Sequence, residues 1–330
     1  MNYESIHKIP GFKIGHAEDT AALTGCTVIL CDEKTCGGVD QRGGAPGTRE
    51  TDLLRPMHLV EHVNAVLLSG GSAFGLDAAA GVMRYCEDQG MGYPVGPTRV
   101  PIVPGAVLMD LTVGDHRVRP DAAMGYAACQ AANDDEPKQG NVGAGTGATV
   151  GKILGMGQCM KGGIGHAALD LGGGLWIGAI IAVNALGDVV DPDNGKILAG
   201  ARTISKGPIR IGEPGYFADT LSIMRSTLGQ RALAMSAKTN TVIGAILTNA
   251  RLTRNEANKL AQCAQNGLAL TIRPAHTMFD GDTIFALASR KKAGNIHTLA
   301  AHAPLVVARA VVNAVRFAEP VGNIPAIASK

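Results

Sequence analysis

The run TVIGAILTNA, residues 241–250, leaves this chain few ways to fold. Apolar residues fall on both parities, so a strand built from it has no face to give to water. Such a strand is stable only in a sheet covered on both sides. DTIFALAS (282–289) repeats the pattern, and CTVILC (26–31) and NAVLLSGG (64–71) are shorter apolar runs flanked by turn residues. GLWIGAIIAVNALGDVV (174–190) reads as two strands joined near Asn184 and Gly187, or as one long buried strand. The pattern predicts one layered α/β domain whose sequence changes character at residue 240.

Helical periods lie between the strands. FGLDAAAGVMRYCEDQG, after Ser72, predicts a helix ending at Gly90. In LTRNEANKLAQCAQNG, Thr253 and Glu256 have capping-box spacing, Leu252, Leu260 and Ala264 fall near one face, and Gly267 suits the end. A last helix is expected around 304–318 with Pro304 in its first turn, where a missing N–H costs little. The zone YFADTLSIMRSTLGQRALAMSAKTN, 216–240, has the least structure by pattern.

Composition narrows the function. The 330 residues suffice for one large core, burying roughly three-quarters of the unfolded surface. Net charge is +2 and aromatics are 4%, which argues against nucleic acid and anionic membranes as partners. Charged residues at 18% leave apolar surface to bury, part of it expected between subunits. The seven cysteines form no CxxC pair and read as reduced thiols, so a cytoplasmic location is expected. The start MNYESIHKIPGFKIGHAEDT lacks the pattern of a signal peptide, and no uninterrupted apolar span approaches the ~20 residues of a membrane helix.

Several motifs invite chemistry. NVGAGTGATVGK (141–152) resembles a phosphate loop but has Thr146 where the template needs glycine and Ile153 after Lys152. It nearly fits a dinucleotide fingerprint, yet no strand precedes it. It reads as tight backbone, with Lys152 a candidate buried cation. HLVEH (58–62) matches HxxEH, which on a helix sets His58 and His62 one turn apart beside Glu61, a zinc-peptidase alternative. Asp280 and Asp282 flank Gly281 at a strand entry: either a solvated turn or two acids holding a hydroxyl or ammonium. GGSAFG (70–75) is not a nucleophile elbow, but Gly71 and Ser72 at a strand-to-helix turn could bind substrate through backbone amides. Ser72 could equally be a helix cap.

TNTVIGAILTNARLTRNEANKLA followed by AHTMFDGDTIFALAS resembles the carboxy-terminal part of the DmpA-type peptidases. That family includes β-aminopeptidases, L-aminopeptidase/D-esterases and nylon-oligomer hydrolases. GGSAFGLDAAAGVMRYCE, GAGTGATVGK and IGAIIAVNALGDVVD extend the likeness in order over most of the chain. The resemblance implies a four-layer αββα sandwich, shared with ornithine acetyltransferases and similar to that of N-terminal-nucleophile hydrolases. It implies a single domain, 1–330, cut between Asn240 and Thr241 into fragments 1–240 and 241–330. Thr241 would then be the nucleophile, Asp280 and Asp282 would steer its hydroxyl, and Lys152 and Asn184 would complete the site. Asn184 would stabilise the oxyanion. No metal or organic cofactor is implied; a small peptide or amide is the substrate, and processed units are expected to form a tetramer. Where relatives carry an active-site tyrosine, this chain has Met109. Two other readings stay open: an acetyl-transferring enzyme of the ornithine acetyltransferase type, and an inactive binding or scaffold module.

Overall fold

The computed structural model describes residues 1–206, 209–212, 215–227, 229 and 240–327. Ten strands, numbered in chain order, build its two large sheets. They are β1 (Phe12–Asp19), β2 (Thr24–Cys31), β3 (Cys36–Gln41), β4 (Thr48–Arg49), β5 (Ala65–Ser69) and β6 (Gly105–Val107). The remaining four are β7 (Gly163–Asp170), β8 (Trp176–Asn184), β9 (Thr241–Ala250) and β10 (Thr283–Lys292). One sheet runs β1-β2-β5-β6-β4 and the other β7-β8-β9-β10-β3. Neighbours are antiparallel except β5 with β6 and β9 with β10. Five α-helices among the described residues are α1 (Ala78–Asp88), α2 (Ala122–Ala131), α3 (Thr220–Arg225), α4 (Arg254–Thr271) and α5 (Ile296–Arg316).

Three apolar layers hold these elements together. Val28 and Leu67 of the first sheet meet Val82 of α1 and Cys129 of α2. Ile29 and Leu68 meet Ile243, Leu247 and Phe285 between the sheets. Val242 and Ile246 meet Leu260 of α4 and Val307 and Val311 of α5. The order is therefore helices, sheet, sheet, helices, an αββα sandwich. All ten residues of β9 are buried, feeding alternately the inter-sheet core and the helix-side core. Burying each such Val, Ile or Leu contributes about 1.5–3 kcal/mol, which is why a strand apolar on both faces ends at the centre.

Five sequence expectations need correcting. Helix α4 carries the full Thr253/Glu256 capping box but continues through Gly267 to Thr271. Gly267 serves packing: a Cβ there would lie 2.5 Å from the Val307 Cβ and 2.6 Å from the Pro304 carbonyl oxygen of α5. Helix α5 starts at Ile296 behind an Asn295 cap, so Pro304 is interior. Helix α5 is long and apolar enough to cross a membrane by length and composition alone, where the sequence reading expects no such span. Here its Leu299, Val306, Val307 and Val311 are core. The zone 216–240 contains α3, capped by Asp219, and its residues 228 and 230–239 lie outside the described residues. The helix after Ser72 opens as a 3-10 segment, Ser72–Asp77, before α1 begins.

Candidate active site

Strand β9 opens at Thr241, directly opposite Asn184, the last residue of β8. Counting by twos, Thr241 shares the inter-sheet face with Ile243, and Asn184 shares it with Ala182 and Ile180. Both therefore close one end of the layer between the sheets. Thr241 is buried, and its hydroxyl donates to the Asn240 carbonyl oxygen at 2.5 Å. The same carbonyl accepts the Gly281 N–H at 3.1 Å. A Cβ on residue 281 would stand 2.9 Å from the Thr241 Oγ1, so glycine is what lets the hydroxyl and that amide converge. The buried Asn240 side chain has no hydrogen-bond partner among the described residues. An unpaired buried amide costs about 1–3 kcal/mol.

The Asp280 and Asp282 side chains are buried, not solvated as in a simple turn. Asp280 Oδ2 accepts the Thr277 N–H at 2.8 Å and the Thr277 hydroxyl at 2.6 Å. Asp282 Oδ1 accepts the Val242 N–H at 2.9 Å. Its Oδ2 accepts the His276 backbone N–H at 3.0 Å and lies 2.9 Å from His276 Nδ1. Burial, and then the neighbouring Asp282 charge, push the Asp280 carboxyl up to about 6. Among the described residues no hydrogen bond joins either carboxylate to the Thr241 hydroxyl. Asp282 instead holds the backbone just after it, through the Val242 N–H, and Asp280 ties its own turn to Thr277.

Lys152 is buried, and its Nζ donates to the Asn184 carbonyl at 3.0 Å and to Asn184 Oδ1 at 2.8 Å. Burial draws its ammonium down to about 7, against the opposing pull of Cys159, Asp280 and Asp110. Asn184 Oδ1 also accepts the Thr149 N–H at 3.1 Å, while its Nδ2 donates to the Met109 carbonyl at 2.9 Å. Met109 thus meets the cluster through its backbone, where no phenol is available. The glycine-rich segment 143–151 is tight backbone: a Cβ on Gly145 or Gly151 would lie within 2.3 Å of neighbouring main chain. Lys161 pins it, its Nζ donating to the carbonyls of Gly145, Ala148 and Gly162 at 2.9, 2.9 and 3.1 Å.

The structure thus brings together Thr241, Asn240, Asn184, Lys152, Asp280 and Asp282. It does not give Gly71 and Ser72 the anticipated role as amide donors. Gly71 N–H is spent on Asp110 at 2.7 Å and Ser72 N–H on the Leu108 carbonyl at 2.9 Å. HLVEH is not helical, so His58 and His62 do not share a helix face, and the zinc-peptidase geometry is lost. The reason is Arg254, whose guanidinium gathers the carbonyls of Arg55, His58 and Val60 around itself. Glu61 and His62 instead line a cavity of about 510 Å³ with Glu33, Lys34 and Arg99, apart from the Thr241 cluster. Sequence reasoning missed His276, Thr277 and the Gly281 amide. Thr277, three residues before Asp280, was findable as a T-x-x-D turn; His276 acts from a positive φ of 60° that no local pattern announces.

Comparison with known proteins bears on this geometry. The model of peptidase family S58 matches residues 4–325. An uncharacterized aminopeptidase of Mycobacterium leprae is 42% identical over 97% of this chain and 92% of its own length. A 6-aminohexanoate-oligomer endohydrolase of Agromyces is 31% identical over 84% of this chain and 73% of its own. Among solved structures, the L-aminopeptidase D-Ala-esterase/amidase of Ochrobactrum anthropi, described as a variant of the Ntn hydrolase fold, superposes with a TM-score of 0.72. That match has 19% identity and covers 97% of this chain and 88% of the other. A Burkholderia β-aminopeptidase gives 0.66 at 21% identity, over 96% and 88%.

Proposed function

The chain belongs to peptidase family S58 and is a hydrolase of peptide or amide bonds; we propose that its nucleophile is Thr241, exposed when the chain cuts itself after Asn240. The observation that carries this reading is the convergence on one carbonyl. The Thr241 hydroxyl and the Gly281 N–H both reach the Asn240 carbonyl oxygen. In the uncut chain the hydroxyl oxygen attacks the Asn240 carbonyl carbon, and Gly281 N–H receives the developing oxyanion. The C–N bond to Thr241 then breaks, its nitrogen takes a proton, and water hydrolyses the ester to leave fragments 1–240 and 241–330.

Lys152 is the proton acceptor for the first step. Below about pH 7 it is an ammonium, and above it an amine able to take a proton. After cutting, the new Thr241 α-amine, with an ordinary pKa near ~8, serves beside its own hydroxyl as base. Asn184, across the strand pair, supplies an amide to the substrate's oxyanion. The higher identity to chains named aminopeptidases, 42% against 31%, supports removal of amino-terminal residues over attack within an oligoamide. All seven cysteines are free and six are buried, which supports a reducing, cytoplasmic setting. The processed units are proposed to assemble as tetramers.

The test is a pair of variants. Thr241→Ala is expected to stay whole and inactive towards an aminoacyl anilide, whereas Thr241→Ser keeps a hydroxyl and is expected to be cut and active. An active, uncut Thr241→Ala protein would refute the assignment.

A further inference from the structure

One group packed against this cluster has no part in the chemistry just described. His276 approaches Asp282 twice, through its backbone N–H at 3.0 Å and through Nδ1 at 2.9 Å, both to Oδ2. The other oxygen of Asp282 holds the N–H of Val242, the residue after the nucleophile, at 2.9 Å. Asp282 is therefore a clasp with one arm on the imidazole and one on the start of β9. A carboxylate rotates about its Cα–Cβ and Cβ–Cγ bonds unless both oxygens are held. The donor that fixes the second oxygen comes from a residue at φ 60°, a left-handed conformation that L-residues other than glycine adopt only at an energetic cost. The imidazole Nε2 is buried and has no hydrogen-bond partner among the described residues. A backbone held in that region, carrying a ring paired at one nitrogen only, is poorly explained by packing alone.

We propose that His276 is a positioning residue: by donating from Nδ1 to Asp282 it locks the carboxylate that aims the Thr241 backbone, and so its hydroxyl, at the Asn240 carbonyl. This rests on Thr241 being the nucleophile. Because Nδ1 donates, the neutral ring carries its proton there and leaves Nε2 as the lone-pair nitrogen. Asparagine places an amide N–H close to where Nδ1–H stands and tolerates positive φ; glycine tolerates the same φ but offers no side-chain donor.

Two measurements test this. First, the cutting rate of freshly synthesised chain is followed by denaturing gel for wild type, His276→Asn and His276→Gly, with thermal melting recorded for each. His276→Gly is expected to cut roughly 10- to 100-fold more slowly, the scale of a misaimed reacting group. His276→Asn should recover to within about threefold of wild type at a similar melting temperature. A glycine variant that cuts at the wild-type rate, or an asparagine variant as slow as glycine, overturns the proposal while leaving Thr241 in place. A wild type that never cuts overturns the nucleophile and this role together. Second, ¹⁵N-histidine NMR of the uncut Thr241→Ala protein is expected to show Nδ1 protonated, with that signal shifted in a Thr241→Ala, Asp282→Asn double variant. An unprotonated Nδ1 overturns the proposal whatever the wild type does.

Discussion

A threonine hydroxyl is a weak nucleophile at neutral pH, and its surroundings decide whether it reacts. In the proposed mechanism that part falls to Lys152, which is held on Asn184 opposite Thr241 and whose burial draws its ammonium down to about 7. The reactive form is the neutral amine, so the cutting rate is expected to rise with pH through about 7 and then level off. Lys152→Met is expected to cut roughly 10²-fold more slowly or worse and to lose that rise. A pH–rate profile on freshly synthesised chain checks both; an unchanged rise in the methionine variant would remove Lys152 from the mechanism. At this scale the sequence was informative about identity and poor on contacts. The resemblance singles out Thr241, Asp280, Asp282, Lys152 and Asn184, and the fold sets them side by side. Which atom meets which was not legible, because those bonds join residues as far apart as Asn184 and Met109. The Gly281 amide was invisible, since a backbone N–H leaves no signature in the side-chain code.

Strands and helices were read with more success where local chemistry and burial agreed. The central strand β9 matches the apolar run residue for residue, and the capping box of α4 is where its spacing put it. The failures share a cause: tertiary packing overrode a local stop signal. Gly267 and Pro304 each read as a helix boundary, yet they face each other across the α4–α5 contact, where glycine permits the close approach. HLVEH failed likewise, drawn out of a helix by Arg254 from another part of the chain. Gly267→Ala tests the packing account. Alanine favours an isolated helix by up to about 1 kcal/mol. Against Val307 and Pro304 the added methyl overpacks, costing about 1–3 kcal/mol. A melting temperature lowered by a few degrees is the expected outcome; a raised one would show that the interface can yield.

Across the whole molecule, the sandwich brings segments distant in sequence to one end of the inter-sheet layer. Asn184 ends one strand, Thr241 begins its neighbour, and the Asp-Gly-Asp turn leads into the next, so three successive strands of one sheet deliver the cluster. A cut between residues 240 and 241 would fall at the mouth of that sheet and leave all its strand pairings intact, so the two fragments are expected to stay associated. Light scattering of the purified protein is expected to give about four times the 33.9 kDa chain mass. A monomeric mass would discard the tetramer without touching the chemistry. The proposed chemistry turns on the covalent state of the bond between Asn240 and Thr241, which intact-mass spectrometry of purified wild-type protein under denaturing conditions reads directly. Two fragments whose masses place the break immediately before Thr241 are the expected result; active protein with a single mass of 33.9 kDa would contradict it.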